Sequence, residues 1–311
     1  MRIAVVAIGG NSLIRAGERG TVEEQKRNLQ PTCEGVAAIL QAGYYVVVTH
    51  GNGPQVGAAL LRSEAASDQV PPQPLDMCGA ETQGSIGYLL QQTLQGTLGR
   101  HGMGRSVVTI ITQTLVARRD PAFRHPTKPV GPFFTKEEAE KRREELGWDI
   151  IEDANRGYRR VVASPEPKAI VELLAIQKVL ETGAVVISCG GGGIPVILED
   201  VQLLGIEAVI DKDRASSLLA SQLGAELFIV STGVEQVAVN FGQPEEKALD
   251  TLTVKEAQRH LDEGQFPAGS MGPKIEAAIN FLDRGGSSVI ITTPEKIPEA
   301  LKGKAGTSIT T

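Results

Sequence analysis

The sequence predicts an α/β fold: a three-layer α/β/α sandwich around an open, mainly parallel sheet. Three observations carry that prediction. Strand and helix patterns alternate along nearly the whole chain. Three runs rich in β-branched apolar residues, at 3–8, 45–48 and 184–188, lack the polar alternation of a half-exposed strand. Each run leads into a glycine cluster, at Gly9-Gly10-Asn11, Gly51-Asn52-Gly53 and Gly190-Gly191-Gly192-Gly193. Parallel strands covered by helices on both faces read as such continuous apolar runs, and alternating elements imply βαβ units with right-handed crossovers.

The elements follow in order. Residues 3–8 form the first strand. Residues 21–43 read as a helix, with capping-box spacing between Thr21 and Glu24 and Gly43 to close it. Pro31 inside that span predicts a kink or a division in two. Gly53-Pro54 opens the next helix, Pro54 suiting its first turn. A helix fits 81–98, a strand 106–115, and a helix 168–181. Beyond the third glycine cluster come a helix over 213–223, strands at Leu227–Ser231 and 236–240, helices at Val254–Asp262 and 273–282, and a strand at Ser288–Thr292.

Residues 117–167 break the rhythm. They hold five of the twelve aromatic residues, Phe123, Phe133, Phe134, Trp148 and Tyr158, and the basic residues Arg118, Arg119, Arg124, Lys128, Arg156, Arg159 and Arg160. The enrichment predicts a small protruding subdomain with its own core, inserted into a single domain spanning 1–311. Beside a glycine-rich crevice, a basic appendage is placed to act as a lid over an anion. A solvated or oligomer-facing protrusion has the same composition, and both readings stand.

Composition narrows the function. With 311 residues, 41% hydrophobic and 22% charged, the chain can bury a large core and is not disordered. No apolar stretch approaches membrane-spanning length. A strand beginning almost at the first residue leaves no room for a signal peptide, so a cytoplasmic location is expected. Cys33, Cys78 and Cys189 have neither disulfide-framework nor zinc spacing. A net charge of −6 argues against nucleic-acid binding.

Glycine directly after a strand brings backbone N–H groups close to a ligand, and in an open α/β sheet such turns gather at one edge. Three of them suggest several neighbouring anionic groups, a polyphosphate and a second small anion, although any single cluster also serves as a tight structural turn. Gly51-x-Gly53 followed by Gly57 misses the dinucleotide register, and no Gly-Lys-Ser/Thr of a P-loop occurs. Positive charge must come from isolated lysines. Lys212 lies where an apolar strand runs into Asp211-Lys212-Asp213 and then a helix. Lys274 follows Gly269-Ser270-Met271-Gly272-Pro273 at the start of the next helix, where the helix dipole disfavours a cation and implies a negative partner. No serine or cysteine has a nucleophile's context. The four histidines lack metal-ligand spacing.

At this point the residues resemble the carbamate kinases of the amino acid kinase superfamily, essentially from end to end. The resemblance rests on Ala7 to Asn11, Thr49 to Gly57, Asp120 to Phe123, Pro126-Thr127-Lys128-Pro129, Tyr158 to Val162, Gly190 to Pro195, Val209 to Asp213 and Gly269 to Lys274. The Pro-Thr-Lys-Pro insertion is the most specific of these. Ser12, Asn155 and Ala163 stand where Ala, Gly and Pro are expected, and none removes a functional group.

The resemblance implies the amino acid kinase fold and reversible phosphoryl transfer from ATP to carbamate, giving ADP and carbamoyl phosphate with Mg2+ on the nucleotide. By that resemblance Lys212 and Lys274 flank the migrating phosphoryl group, Asp213 orients them, and Lys128 closes over carbamate. Gly9, Gly10, Asn11, Gly51, Asn52, Gly53, Gly191 and Gly192 would hold phosphate and substrate. Asp211, Thr232, Gly233, Val237, Met271 and Pro273 would hold the nucleotide, with no protein-held metal. A homodimer is implied, with no nucleic-acid or membrane partner. The rival readings are an acetylglutamate- or aspartate-type kinase and a non-catalytic nucleotide sensor.

Overall fold

The computed structural model describes all residues except 16, 153–156 and 268, and the side chains of Asn11 and Pro132 also lie outside the described set. The readings at Asn155 and Arg156 fall there. Strand β1 (Ile3–Ile8) is buried at all six positions. Helix α1 (Val22–Gln41) starts at a reciprocal capping box between Thr21 and Glu24. It runs as one 20-residue element through Pro31, so the expected division does not occur. The proline removes one backbone bond, while Leu29, Cys33, Val36 and Leu40 on both sides of it stay buried against the sheet and hold the helix. Strand β2 (Tyr45–His50) leads to α2 (Gly53–Ala65), with Pro54 in its first turn as expected.

Helix α3 (Leu75–Arg100) begins well before the predicted start, because Leu75 and Cys78 already belong to a buried cluster. The strand predicted at 106–115 is two strands in different sheets, β3 (Val107–Thr109) and β4 (Gln113–Val116). Between them buried Gln83 of α3 grips Thr112: the Thr112 N–H donates to Oε1 at 2.8 Å, and Nε2 donates to the Thr112 carbonyl at 3.0 Å. This clamp forces the exit that apolar patterning does not reveal.

The insertion follows: β5 (Lys128–Phe134), α4 (Lys136–Leu146), β6 (Ile150–Glu152) and β7 (Tyr158–Val162), with an antiparallel sheet in the order β5-β7-β6. Phe134, Ala139 and Ile150 are its buried cluster, packed by Trp148 and Tyr158. The helix predicted from 168 is preceded by β8 (Pro167–Ile170), which pairs with β4 and delays α5 to Leu173–Glu181. After β9 (Val185–Ile187) the glycine cluster makes a short 3-10 turn, then a hairpin of β10 (Ile194–Glu199) and β11 (Gln202–Gly205).

The chain continues through α6 (Lys212–Gln222), β12 (Leu227–Ser231), β13 (Val237–Val239), β14 (Lys247–Leu249), β15 (Thr251–Thr253) and α7 (Val254–Asp262). It closes with α8 (Gly272–Asp283), β16 (Ser288–Thr292), α9 (Ile297–Ala300) and β17 (Thr307–Thr310). The main sheet has the order β15-β17-β16-β12-β1-β2-β9-β3 and is parallel from β16 to β3.

Alternate residues of its strands face two separate cores. Val5, Ala7, Val47, Phe228 and Val230 pack with residues of α5, α6 and α8; Val6, Ile8, Val48 and Ile229 pack with residues of α1 and α3. Those are the three layers. Ile8 aligns with both His50 and Ser231, so the glycine turns after β1 and β2 open at one level of one sheet edge.

Candidate functional site

A cleft of about 250 Å³ lies at that edge, lined among others by Gly10, Gly51, Asn52, Gly53, Gly191, Lys128, Asp211, Lys212, Asp213 and Lys274. Its floor is backbone. The Gly9 N–H is consumed by the Ser231 carbonyl (3.2 Å) and the Gly51 N–H by the Ile8 carbonyl (2.9 Å), while the Gly192 N–H turns back to Cys189. The N–H groups of Gly10, Asn52, Gly53 and Gly191 have no acceptor among the described residues, and all four of these residues line the cleft. Gly53 also opens α2, adding the partial positive charge of a helix N-terminus.

The absent side chains have a reason. A Cβ on Gly51 would stand 3.2 Å from Cδ of Lys212 and 3.3 Å from the Gly10 nitrogen. Gly191 has φ of +67°, and a Cβ there would run into the side chain of Asn52. That side chain is itself fixed, Nδ2 donating to Thr82 Oγ1 at 2.8 Å. Beneath the floor His50 is buried, its Nδ1–H donating to the Gly51 carbonyl at 3.0 Å. Burial pushes its pKa down to about 4, so the ring is neutral at pH 7 and braces the turn without adding charge.

The walls supply the charge. Asp213, with its side chain 4% exposed, accepts from Lys212 Nζ at 2.5 Å on one oxygen and from Lys274 Nζ at 3.0 Å on the other. The lysines lie in the first turns of α6 and α8, so two helix N-termini converge here. Burial alone would raise the Asp213 carboxyl, but the two ammonium groups outweigh it and hold it below the ordinary carboxylate range. Burial, with Lys212 alongside, lowers Lys274 despite Asp213. Ser217 Oγ donates to the Ala277 carbonyl at 2.8 Å and ties α6 to α8, which fixes the spacing of the two lysines.

Asp211 caps α6, Oδ1 accepting from the N–H groups of Asp213 (2.9 Å) and Arg214 (3.3 Å). Its Oδ2 accepts from Lys128 Nζ at 2.8 Å, across from the insertion. Burial pushes Asp211 up, and Lys128 pulls it further down, leaving it at about 2.

The structure therefore gathers Lys128, Asp211, Lys212, Asp213, Lys274, Pro273 and five of the glycine-loop residues, Gly10, Gly51, Asn52, Gly53 and Gly191, around one cleft. Gly9 and Gly192 lie outside the lining, their backbone groups tied into the fold. The backbone of Asn11 sits in the short turn after β1, and its side chain lies outside the described set. Thr232 and Gly233 line a separate depression of about 270 Å³ with Ser12, Arg15, Thr293, Pro294 and Glu295. Met271 packs partly against the core at the head of α8, and Val237 is wholly buried, so its side chain reaches no surface.

Sequence reasoning assigned no site role to Pro54, Val56, Pro129, Val130, Val209, Ile210, Gly269 and Ser270, which line the cleft, or to Thr82 and Gln83, which support it. All of these lining residues except Val130 lie within the segments that carry the resemblance, and that membership was their one signal. Nothing in the sequence separates Thr82 or Gln83 from other polar helix residues. Among the described residues the lining carries three ammonium groups against two carboxylates and no His, Cys or Tyr. It suits the holding and alignment of anions rather than proton abstraction.

Comparison with known proteins yields concordant findings. The model of the amino acid kinase family matches residues 2–293. A carbamate kinase of Pyrococcus furiosus is 50% identical over 98% of each chain, and one of Thermococcus kodakarensis is 49% identical over 99% of each. The solved carbamate kinase of Giardia lamblia bound to AMP-PNP superposes with a TM-score of 0.93 at 41% identity, covering 99% of this chain and 98% of that one.

Proposed function

The chain belongs to the amino acid kinase family, and on that premise we infer that it is a carbamate kinase, catalysing ATP + carbamate ⇌ ADP + carbamoyl phosphate. The observation that carries the reading onto this chain's own residues is the Lys212–Asp213–Lys274 cluster facing four free backbone N–H groups across one small cleft. Carbamate already bears its attacking oxyanion, so no general base is required. Phosphoryl transfer asks for alignment and for charge on the equatorial oxygens.

Lys212 and Lys274 sit on either side of the migrating phosphoryl group, held apart and aimed by Asp213. Gly10, Asn52, Gly53 and Gly191 donate to its oxygens and to the small acceptor. Lys128 reaches the acceptor from the insertion, which acts as a lid. Pro273 and Asp211 border the nucleotide's path into the cleft, and the Thr232–Gly233 depression is the second place where the nucleotide's base or ribose has room.

Mg2+ enters with the nucleotide. Among the described residues no group of three His, Cys, Asp or Glu side chains could enclose an ion, and Asp211 and Asp213 are both engaged by lysines. An ion arriving with the nucleotide would supply charge neutralisation at its phosphates.

Carbamoyl phosphate is the stronger phosphoryl donor, so net ATP formation is the favoured direction. No helix among the described residues is long and apolar enough to cross a membrane, which fits a cytoplasmic enzyme. A homodimer would cover the exposed apolar side chains of the β10–β11 hairpin, Leu198, Val201, Leu203 and Leu204, together with Met77 on α3. Sedimentation of wild type against Leu204→Glu tests that assembly.

The test of function is direct. Purified protein given ADP, Mg2+ and carbamoyl phosphate should form ATP, and acetyl glutamyl phosphate or aspartyl phosphate should not replace the donor. Activity with an amino-acid acyl phosphate instead would favour the rival kinase reading, and no ATP from any donor would favour a sensor.

A further inference from the structure

Every ammonium group among the described residues lining the cleft is paired with a carboxylate. Lys212 and Lys274 share Asp213, and Lys128 is bound to Asp211. The two carboxylates differ in what they do. Asp213 is nearly sealed and binds two cations from neighbouring helices. Asp211 divides its two oxygens between α6 and a lysine 83 residues away in sequence, on the inserted subdomain.

Lys128 is the most accessible of the three lysines, its side chain 36% exposed against 14% for the others. It lies at the first residue of β5, the edge of the insertion nearest the cleft. An anionic substrate that uses Lys128 must take it from a partner already in contact at 2.8 Å.

We propose that Asp211 is a positioning residue that holds Lys128 in the ligand-free enzyme and surrenders it to the substrate anion by partner exchange. This rests on the carbamate kinase reading for the identity of the anion, though not for the Asp211–Lys128 contact. Capping fixes the Asp211 side chain on α6, one residue before Lys212. The insertion is thereby docked in register with the two other lysines, and substrate binding exchanges one ion pair for another without exposing an unpaired charge.

The cost of the exchange is apparent affinity, since the carboxylate competes with the substrate for the same ammonium group. Asp211→Asn retains a capping oxygen for the two N–H groups, because Asn is as good an N-cap as Asp. It presents an amide, with half its capacity turned into a donor, to Lys128 and so releases it.

The experiment has two arms. In ligand-free protein, site-resolved acylation of lysines read by mass spectrometry should show Lys128 reacting several-fold faster in Asp211→Asn than in wild type, with Lys212 and Lys274 unchanged. In steady-state kinetics, Asp211→Asn should lower KM for carbamoyl phosphate roughly 3- to 10-fold, the scale of one part-exposed ion pair. That gain should vanish when the substitution is made on a Lys128→Met background.

An equal fall in KM on both backgrounds would mean a general field effect and overturns the proposal, as does unchanged Lys128 acylation. Asp211→Ser, which caps but is too short to reach Lys128, should reproduce both results if the Asn variant folds poorly. Wild type that does not use carbamoyl phosphate would refute the functional reading, while the acylation arm would still judge the contact.

Discussion

The floor of the cleft and the inserted arm face the same space but are held by different physics. The floor belongs to the turns after β1, β2 and β9, among strands buried on both faces, and its donors are backbone groups that cannot rotate away. The arm is a small antiparallel unit whose Val130 and Val162 pack with Val56 and Ala59 of α2 and Leu75 and Cys78 of α3, and around that small apolar seam lie ion pairs: Lys128 to Asp211, Arg142 to Glu64, and Arg160 to Glu207, each at 2.8 Å. A close approach of Gly57 on α2 to Gly131 on β5 completes the seam. The floor is thus positioned by the core that makes the protein fold at all, whereas the arm rests on a much smaller apolar seam and on ion pairs that water and salt can contest. A phosphoryl group needs the first kind of support; a substrate that must enter and leave needs the second.

The sharpest way to break this contrast is Gly191→Val. At φ of +67°, with Asn52 filling the space a Cβ needs, the change should destabilise the fold by roughly 2–4 kcal/mol and abolish measurable turnover. Unaltered thermal denaturation would mean that the floor yields as readily as the arm. Next, Lys212→Ala or Lys274→Ala should reduce kcat roughly 10²- to 10³-fold with melting behaviour near wild type, the scale of losing one preorganised donor of charge. Near-normal turnover in both would remove them from the chemistry.

The third test uses pH. Buried His50 stays neutral down to about 4, whereas in the unfolded chain it takes a proton near 6.5. Because the unfolded state then binds more protons, stability is complete above pH 6.5, falls between about 6.5 and 4, and levels off below that. The loss amounts to about 3 kcal/mol. Chemical denaturation across that range should show the slope, and His50→Asn should flatten it. Asp211 behaves oppositely in origin: its depressed value makes its contribution complete above about pH 4 and lost toward pH 2.

The smallest effect belongs to the arm. Glu207→Gln leaves Arg160 stacked on Trp148 at 4.5 Å and should cost less than about 1 kcal/mol of stability. A loss comparable to that of Gly191→Val would erase the distinction between the two regions.

The legibility of the chain follows the same division. Strands β1, β12 and β16 and helix α7 were predicted to the residue, because continuous burial and capping boxes leave plain signatures in local sequence. The break between β3 and β4 was invisible, since it depends on Gln83 reaching from a distant helix. The hairpin of β10 and β11 was missed because Leu198, Leu203 and Leu204 stand exposed on its two faces where a solvated strand would carry polar residues.

At the site, Lys274 was recognisable from its electrostatically wrong place at a helix start, and Lys212 from the charged triplet Asp211-Lys212-Asp213 that ends an apolar strand. Asp211 was not recognisable as the partner of Lys128, because a contact spanning 83 residues leaves no local trace. The glycines were legible as turns, but which of their N–H groups remain free is settled by strand pairing, which consumes Gly9 and Gly51.

One feature of the second sheet bears on how such a protein can be remodelled. Val116, at the end of β4, is paired with Pro167, at the start of β8, so the chain departs for the insertion and returns from it on adjoining rungs. Facing positions on antiparallel strands lie only about 5 Å apart. Everything between them is topologically a bulge on a hairpin: it can be shortened, exchanged or grafted without rethreading the main sheet, and an ordinary tight turn would bridge the gap it leaves.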